Sequence, residues 1–189
     1  MKTILISFFS LVILFSQDLT TPEYVHGPLL LNIVKEDAAV MKSVSEIYNI
    51  AVVFTSEESD SEENRDRIVS FFEEQTIPLE TENINISVID VEFKTKGRFY
   101  AEMDNKKIHL VYICSDIDED MVRKIKFVSE NLNIVTITGS EEIYEEGASV
   151  TVRINDNDIP ELMIKKDRLE KERKAVALDY LKTANLNYE

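Results

Sequence analysis

The segment from residue 108 to residue 138 constrains the fold more than any other part of the chain. Two short runs of apolar and β-branched residues, at 108–114 and 134–138, flank a stretch in which apolar residues recur every three or four positions. The runs predict buried strands, and the periodic stretch predicts an amphipathic helix. A strand, a helix and a strand joined by short connections form a βαβ unit with parallel strands and a right-handed crossover. This unit predicts an α/β fold.

Further elements extend this pattern along the chain. We expect a helix from Pro28, a strand at 49–55, a helix near Arg65, a loop at 76–82 around Pro78, a strand at 84–91, a short helix at 99–103 and a last helix at 176–186. Residues 148–154 and 159–164 alternate around the turn-forming residues 155–158, which predicts a hairpin. The expected fold class is α/β, a three-layer sandwich with a mostly parallel sheet, an antiparallel edge hairpin and helices on both faces.

Residues 1–16 have the layout of a secretory signal peptide. A positive charge at Lys2 precedes an apolar run at 4–15, and the chain turns polar at Ser16. That run would cover about 18 Å as a helix, less than the roughly 30 Å of a bilayer core. We expect cleavage after Ser16, a polar lead-in at 17–27, and a domain at 28–189 that is periplasmic or secreted. An uncleaved anchor or a buried N-terminal helix is the alternative.

The charge balance excludes two classes of partner. The chain has 36 acidic and 21 basic residues, and its formal net charge is −15. Proteins that bind nucleic acid or anionic lipid need a basic face, and the large excess of acids in this chain argues against one. We therefore expect no nucleic-acid partner.

The sequence carries no recognisable catalytic or cofactor motif. Gly-x-Ser-x-Gly, Gly-x-Gly-x-x-Gly and the P-loop are absent. His26 lies in the lead-in, and His109 lies at the strand end opposite to where open α/β sheets bind ligands. Cys114 is the only cysteine, so it forms no intramolecular disulfide, and we expect an inert packed thiol. We expect a protein without catalytic residues or cofactors, which is not an enzyme.

Two acidic clusters, at 57–63 and 116–120, raise the question of a calcium site. Neither cluster contains the glycine that usually forms the bend of a calcium loop. Both precede predicted helices, where serine and aspartate cap free N–H groups and acids complement the helix dipole. We favour capping over metal binding and expect no metal site.

Serine-bearing segments follow three of the predicted strands. The residues are Ser56, Ser115, Gly139 and Ser140. Because the carboxyl ends of parallel strands meet at one edge of a sheet, these residues mark a candidate ligand crevice. Hydroxyls and helix N-termini would suit a small polar or anionic ligand, although neighbouring acids would repel an anion. Helix capping by these serines is the alternative.

Several core segments together resemble the YfiR family of exported bacterial proteins (YfiR/HmsC-like). The resemblance is carried by GPLLLNIV (27–34), IAVVF (50–54), IHLVYI (108–113), IVTITG (134–139), YEEGASV (144–150), IPELMI (159–164) and YLKTA (180–184). It implies a periplasmic α/β sandwich without enzymatic activity. The family's disulfide-forming cysteines are absent here, and Ile164-Lys165-Lys166 replaces an Ile-Asn followed by small residues.

The resemblance also implies a partner. One member of this family, most of whose functions are unknown, represses a membrane-bound diguanylate cyclase by binding its periplasmic part, which controls cyclic-di-GMP and biofilm formation. The leading hypothesis is therefore an exported regulatory binding protein that holds a membrane-bound signalling protein, with a homodimer left open. A small-ligand binding module that uses the serine crevice is the alternative, and a hydrolase without known motifs is the third.

Overall fold

A computed structural model describes residues 22–41, 45–56, 59–80, 85–154 and 160–173. The predicted signal peptide at 1–16, the turn at 155–158 and the last helix at 176–186 lie outside these residues. The helices are α1 (Pro22–Met41), α2 (Ser59–Glu80), α3 (Lys96–Asn105), α4 (Glu119–Leu132), α5 (Glu141–Glu146) and α6 (Lys166–Glu172). The strands are β1 (Ile47–Phe54), β2 (Asn85–Glu92), β3 (Leu110–Ile113), β4 (Val135–Thr138), β5 (Val150–Ile154) and β6 (Pro160–Ile164).

The six strands form one sheet in the order β2-β1-β3-β4-β5-β6. Every neighbouring pair from β2 to β5 is parallel, and β6 runs antiparallel to β5. The predicted α/β class, the mostly parallel sheet and the antiparallel edge hairpin are therefore confirmed. β4 and β5 share only the pair Ile137 and Val150, because β5 begins opposite the second half of β4.

Two hydrophobic cores cover the two faces of the sheet, as a three-layer sandwich requires. In β1, Ile50 and Val52 point into the core that α1 and α2 close. Ala51 and Val53 point into the core that α3, α4 and α5 close. A strand that is buried on both faces has apolar residues at every position, and this explains the continuous run that the sequence shows.

Two helices run past a proline that the sequence suggests as a boundary. α1 begins at Pro22 rather than at Pro28, so it includes the second half of the predicted lead-in. α2 continues through Pro78 to Glu80, where the sequence predicts a loop. A proline removes one backbone hydrogen bond and disfavours a helix, but it does not forbid one. Each helix is anchored elsewhere by buried residues, such as Ile33 in α1 and Phe72 in α2, and this packing supports the whole helix.

A helix that crosses a bilayer must be both long and predominantly apolar. None of the helices in the described ranges combines the length and the apolar character needed to cross a bilayer.

Candidate functional site

The direction in which the chain winds the sheet reverses between β1 and β3. β2 follows β1 on one side, and β3 and the later strands are added on the other side. The carboxyl ends of the strands at such a reversal are where open α/β sheets form ligand crevices. Here a hydrogen bond joins the loop after β1 to the loop after β3: the backbone N–H of Thr55 donates to the Asp116 carboxylate at 3.1 Å.

A recess of about 110 Å³ opens beside this point, and we call it the serine recess. It is lined by Asn64, Arg67, Ile68, Tyr112, Cys114, Ser115, Gly139 and Ser140. The structure therefore brings together Ser115, Gly139 and Ser140, three of the four residues that the sequence suggests for the crevice. It adds one wall from α2, which covers the carboxyl ends of β3 and β4.

Ser56 does not belong to the serine recess, and this corrects the sequence prediction. Its hydroxyl donates to the carboxylate of Glu92 at the end of β2, on the other side of β1. Lys94 also contacts Glu92, at 2.6 Å, and these two partners lower the pKa of that carboxyl group. The prediction assumed that all strand ends open into one crevice. β1 lies between β2 and β3, and the Ser56 side chain turns toward β2.

A chain of hydrogen bonds crosses the recess from α2 to the β3 loop. The Arg67 guanidinium donates to the side-chain carbonyl of Asn64 at 3.1 Å. The Asn64 amide in turn donates to the Ser115 hydroxyl at 2.7 Å. These hydrogen bonds hold the Arg67 guanidinium, the Asn64 amide and the Ser115 hydroxyl side by side.

Sequence reasoning missed Asn64 and Arg67. Both lie in the helix that follows β1, and they are three residues apart, so they share one helix face. The βαβ pattern implies that such a helix packs across the neighbouring strands, which is the signal that could have pointed to them.

Capping accounts for part of the serine pattern, as the alternative suggested. Ser140 is the N-cap of α5, and its hydroxyl accepts a hydrogen bond from the Ile143 N–H at 3.4 Å. At α4 the N-cap is Asp118, which accepts from the Met121 N–H at 2.7 Å, and not the Ser115-Asp116 pair. Asp118, an acid of the cluster at 116–120, therefore has the capping role that the sequence favours.

No metal centre can be built from the described ranges. They hold no group of three or more His, Cys, Asp or Glu side chains that is arranged for a metal ion.

His109 and Cys114 lie at opposite ends of β3. His109 is buried at the amino end, where its Nδ1 accepts from the Asn49 N–H at 3.0 Å and its ring stacks on Tyr48. Burial, together with the charge of Arg173, lowers the pKa of His109 to about 4. Cys114 is buried at the carboxyl end, so these two residues form no nucleophile–base pair.

Comparisons with known proteins find solved structures that match at low sequence identity. No protein-family model and no curated protein matches the chain. A structure described as the ABC domain in complex with L-Trp from Streptococcus pneumonia has 10% identity and a TM-score of 0.47, and the match covers 82% of this chain and 61% of that one. A conserved domain protein from Vibrio cholerae has 13% identity and a TM-score of 0.44, with 81% and 60% covered. The chain thus spans about three fifths of the length of each of these structures.

Proposed function

We propose that this chain is an exported, non-enzymatic binding protein that recognises a small anionic group in the serine recess. The observation that carries the proposal is the convergence of Arg67, Asn64, Ser115 and Ser140 on one recess at the carboxyl edge of the sheet. The signal-like layout of residues 1–16 supports export.

The size of the recess limits the ligand. Pockets for whole small molecules usually enclose about 300–1,000 Å³, and this recess of about 110 Å³ is smaller. It suits a single carboxylate or phosphate group, either free or at the end of a larger molecule. Arg67 would supply the charge, and the amide and hydroxyls would supply directed hydrogen bonds.

Replacing Arg67 by glutamine is expected to weaken the binding of acetate and inorganic phosphate about tenfold. A hydrogen bond to a charged group contributes about 1.5–3 kcal/mol, and about 1.4 kcal/mol corresponds to a factor of ten. The measurement is an NMR titration of the mature chain that follows the amides of Ser115, Gly139 and Ser140.

Arg123→Gln is the matched control, since Arg123 is an exposed arginine on α4 that pairs with Glu119. It should leave the affinity unchanged. Equal binding by the Arg67 and Arg123 variants, or shifts spread over the whole surface, would contradict the proposal.

A regulatory form of the proposal rests on the resemblance to the YfiR family. In this form the chain holds the periplasmic part of a membrane-bound signalling protein such as a diguanylate cyclase. One surface favours it: Tyr100 of α3 and Phe127 of α4 are exposed, and the Lys96 ammonium lies 3.5 Å from the centre of the Phe127 ring. Exposed aromatic rings are enriched where proteins bind each other.

Replacing Phe127 by serine is expected to abolish most of the crosslinking between the protein and a membrane protein in cells of the source organism. The reason is that an aromatic anchor commonly contributes 2 kcal/mol or more, roughly a thirtyfold change in affinity. The measurement is crosslinking in intact cells followed by recovery from the membrane fraction. Ile154→Ser, at an exposed apolar residue of the hairpin, is the control. Failure to recover any membrane partner with the unaltered protein would rule out this form.

A further inference from the structure

A second and larger cavity lies at the opposite edge of the sheet. Its volume is about 430 Å³, and we call it the lysine recess. It is lined by Lys126, Glu145, Gly147, Lys165, Lys166, Asp167, Arg168 and Lys171. Gly147 leads into β5 and Lys165 follows the antiparallel strand β6, which places both at the amino edge of the parallel strands.

Arg168 is fixed at the lysine recess by several hydrogen bonds and ion pairs. Arg168 is buried, and its guanidinium donates to the Gly147 carbonyl at 2.9 Å and to the Lys126 carbonyl at 3.2 Å. It also forms ion pairs with Glu130 and Glu172, so its charge is balanced within the protein. Arg168 therefore holds α4 and the end of α5 in place and leaves ligand contacts to the lysines.

Gly147 allows Lys126 to lie close to the backbone. Gly147 has φ +153°, and a Cβ built there would lie 2.9 Å from Cδ of Lys126. Because glycine lacks this atom, the aliphatic stem of Lys126 passes directly over the turn and its ammonium group reaches the recess.

Lys165 is held at the wall of the same recess. Its ammonium donates to the carbonyls of Tyr144 and Glu145, lies over the Tyr144 ring and approaches the Glu145 carboxylate at 3.6 Å. Partial burial lowers the pKa of Lys165, and the nearby charge of Lys126 acts in the same direction. Two ammonium groups are thus held near each other.

Among the residues that line the lysine recess, the five basic side chains outnumber the two acidic ones, Glu145 and Asp167. Lys166 pairs weakly with Glu170 at 4.0 Å, whereas Lys126 and Lys171 make no ion pair with any residue in the described ranges. A group of like charges is unfavourable unless an anion offsets it. In a chain with a net charge of −15, this concentration of lysines in one concave surface calls for a ligand.

We propose that the lysine recess binds a small polyanion, a molecule that carries two or more phosphate or carboxylate groups. Its volume falls within the usual range for small-molecule pockets, about 300–1,000 Å³. Lysine ammonium groups form charge-assisted hydrogen bonds with phosphate and carboxylate oxygens. The proposal is independent of the serine recess, which lies at the other edge of the sheet.

The test is calorimetric titration of the mature chain with pyrophosphate and with citrate, which separate phosphate from carboxylate ligands. We expect binding of at least one of them that weakens as the NaCl concentration rises. In the double variant Lys126→Met and Lys171→Met the affinity should fall at least tenfold. Methionine keeps most of the aliphatic stem, so the packing against Gly147 is preserved.

Lys124→Met is the matched control, because it removes a lysine of the same helix that pairs with Asp120. Its affinity should stay within twofold of the unaltered protein. An NMR map in the unaltered protein should place the largest shifts at Gly147 and at 165–168. Absence of binding at millimolar concentration, or an equal loss in the Lys124 variant, would overturn the proposal.

Discussion

Replacing Arg173 by methionine is expected to lower the free energy of unfolding by about 3–5 kcal/mol, the usual loss when one partner of a buried ion pair is removed. The Arg173 guanidinium contacts the Asp37 carboxylate at 2.7 Å, and Asp37 is fully buried. The Arg173 guanidinium also donates to the carbonyls of His109 and Asn133, each at 2.9 Å. The substitution thus leaves a buried carboxylate and the carbonyls of His109 and Asn133 without this donor.

The pH dependence of this loss gives a second readout. Burial raises the pKa of Asp37 to about 6, against the attraction of Arg173 and the hydrogen bond from Tyr48. Without Arg173, the pKa of Asp37 in the folded protein rises further, while the pKa of Asp37 in the unfolded chain stays near 4. The folded variant then keeps a proton that the unfolded chain releases, so its stability falls as pH rises above 4. The loss should be larger at pH 8 than at pH 5.

Urea unfolding followed by circular dichroism measures both effects. The control is Arg123→Met, which breaks an exposed pair with Glu119 and should cost less than about 1 kcal/mol. Combining Arg173→Met with Asp37→Asn should restore part of the stability, because the buried charge is gone and the asparagine can still accept from Tyr48. A loss below about 1 kcal/mol that does not vary with pH would contradict this account.

Replacing Glu172 by glutamine is expected to change how stability depends on pH. Glu172 is fully buried, and burial raises its pKa to about 7, although Arg168, Ser149 and Thr136 all stabilise the charged form. The ordinary pKa is 4.5. Between these values the folded protein holds a proton that the unfolded chain has released, so the free energy of unfolding falls as pH rises. The expected fall is about 3 kcal/mol between pH 4.5 and 7.

Glutamine does not titrate, so the variant should lack this part of the pH dependence. Asp37 also lowers the free energy of unfolding as pH rises from 4 to 6, whereas His109 raises it over nearly the same pH range. Both groups are present in the variant and cancel when the two pH profiles are subtracted. Unfolding should be measured in urea at half-unit steps from pH 4 to 8.

Two further variants sharpen the test of Glu172. Glu172→Ala removes the acceptor of the Thr136 N–H at 2.9 Å and of the Thr136 hydroxyl at 2.7 Å, and should cost about 3 kcal/mol or more. Glu170→Gln changes an exposed glutamate of the same helix and should leave the pH profile unchanged. Identical profiles for the unaltered protein and Glu172→Gln would refute the role assigned to this carboxyl group.

Glu172 supplies an acceptor for a backbone N–H group of β4, at a point where β5 has not yet begun. The Thr136 N–H and hydroxyl face the side of β4 where β5 would pair, and Glu172 and Ser149 occupy that space. A carboxylate therefore replaces part of a strand ladder. Because buried backbone N–H groups need acceptors, this side chain is a structural component of the sheet.

The candidate sites were predictable to different degrees. Ser115, Gly139 and Ser140 follow strands that the sequence reveals, and parallel strands must end at the same edge, so their proximity could be predicted. Ser56 follows a strand as well, but β1 has a neighbour on each side, and only the tertiary structure shows that Ser56 faces Glu92. Arg67 enters the site through the packing of a helix.

The lysine recess could not be predicted from the sequence. Lys126 is about 40 residues from the charged run at 165–171, and nothing in the sequence shows that the two segments meet. Packing of α4 against α6 brings these lysines to one concave surface. The same packing buries Arg168 and Glu172, two residues of a run that composition alone would assign to solvent.

The sequence by itself determined the kinds of elements, their order and the class of fold, because side-chain periodicity is a local property that each segment carries alone. Only the tertiary structure decided which distant residues meet. Asp37, Tyr48, His109 and Arg173 form one buried network across α1, β1, the start of β3 and the end of α6. Such contacts depend on how helices pack on the sheet, and the burial that makes each pair strong is absent until the chain has folded.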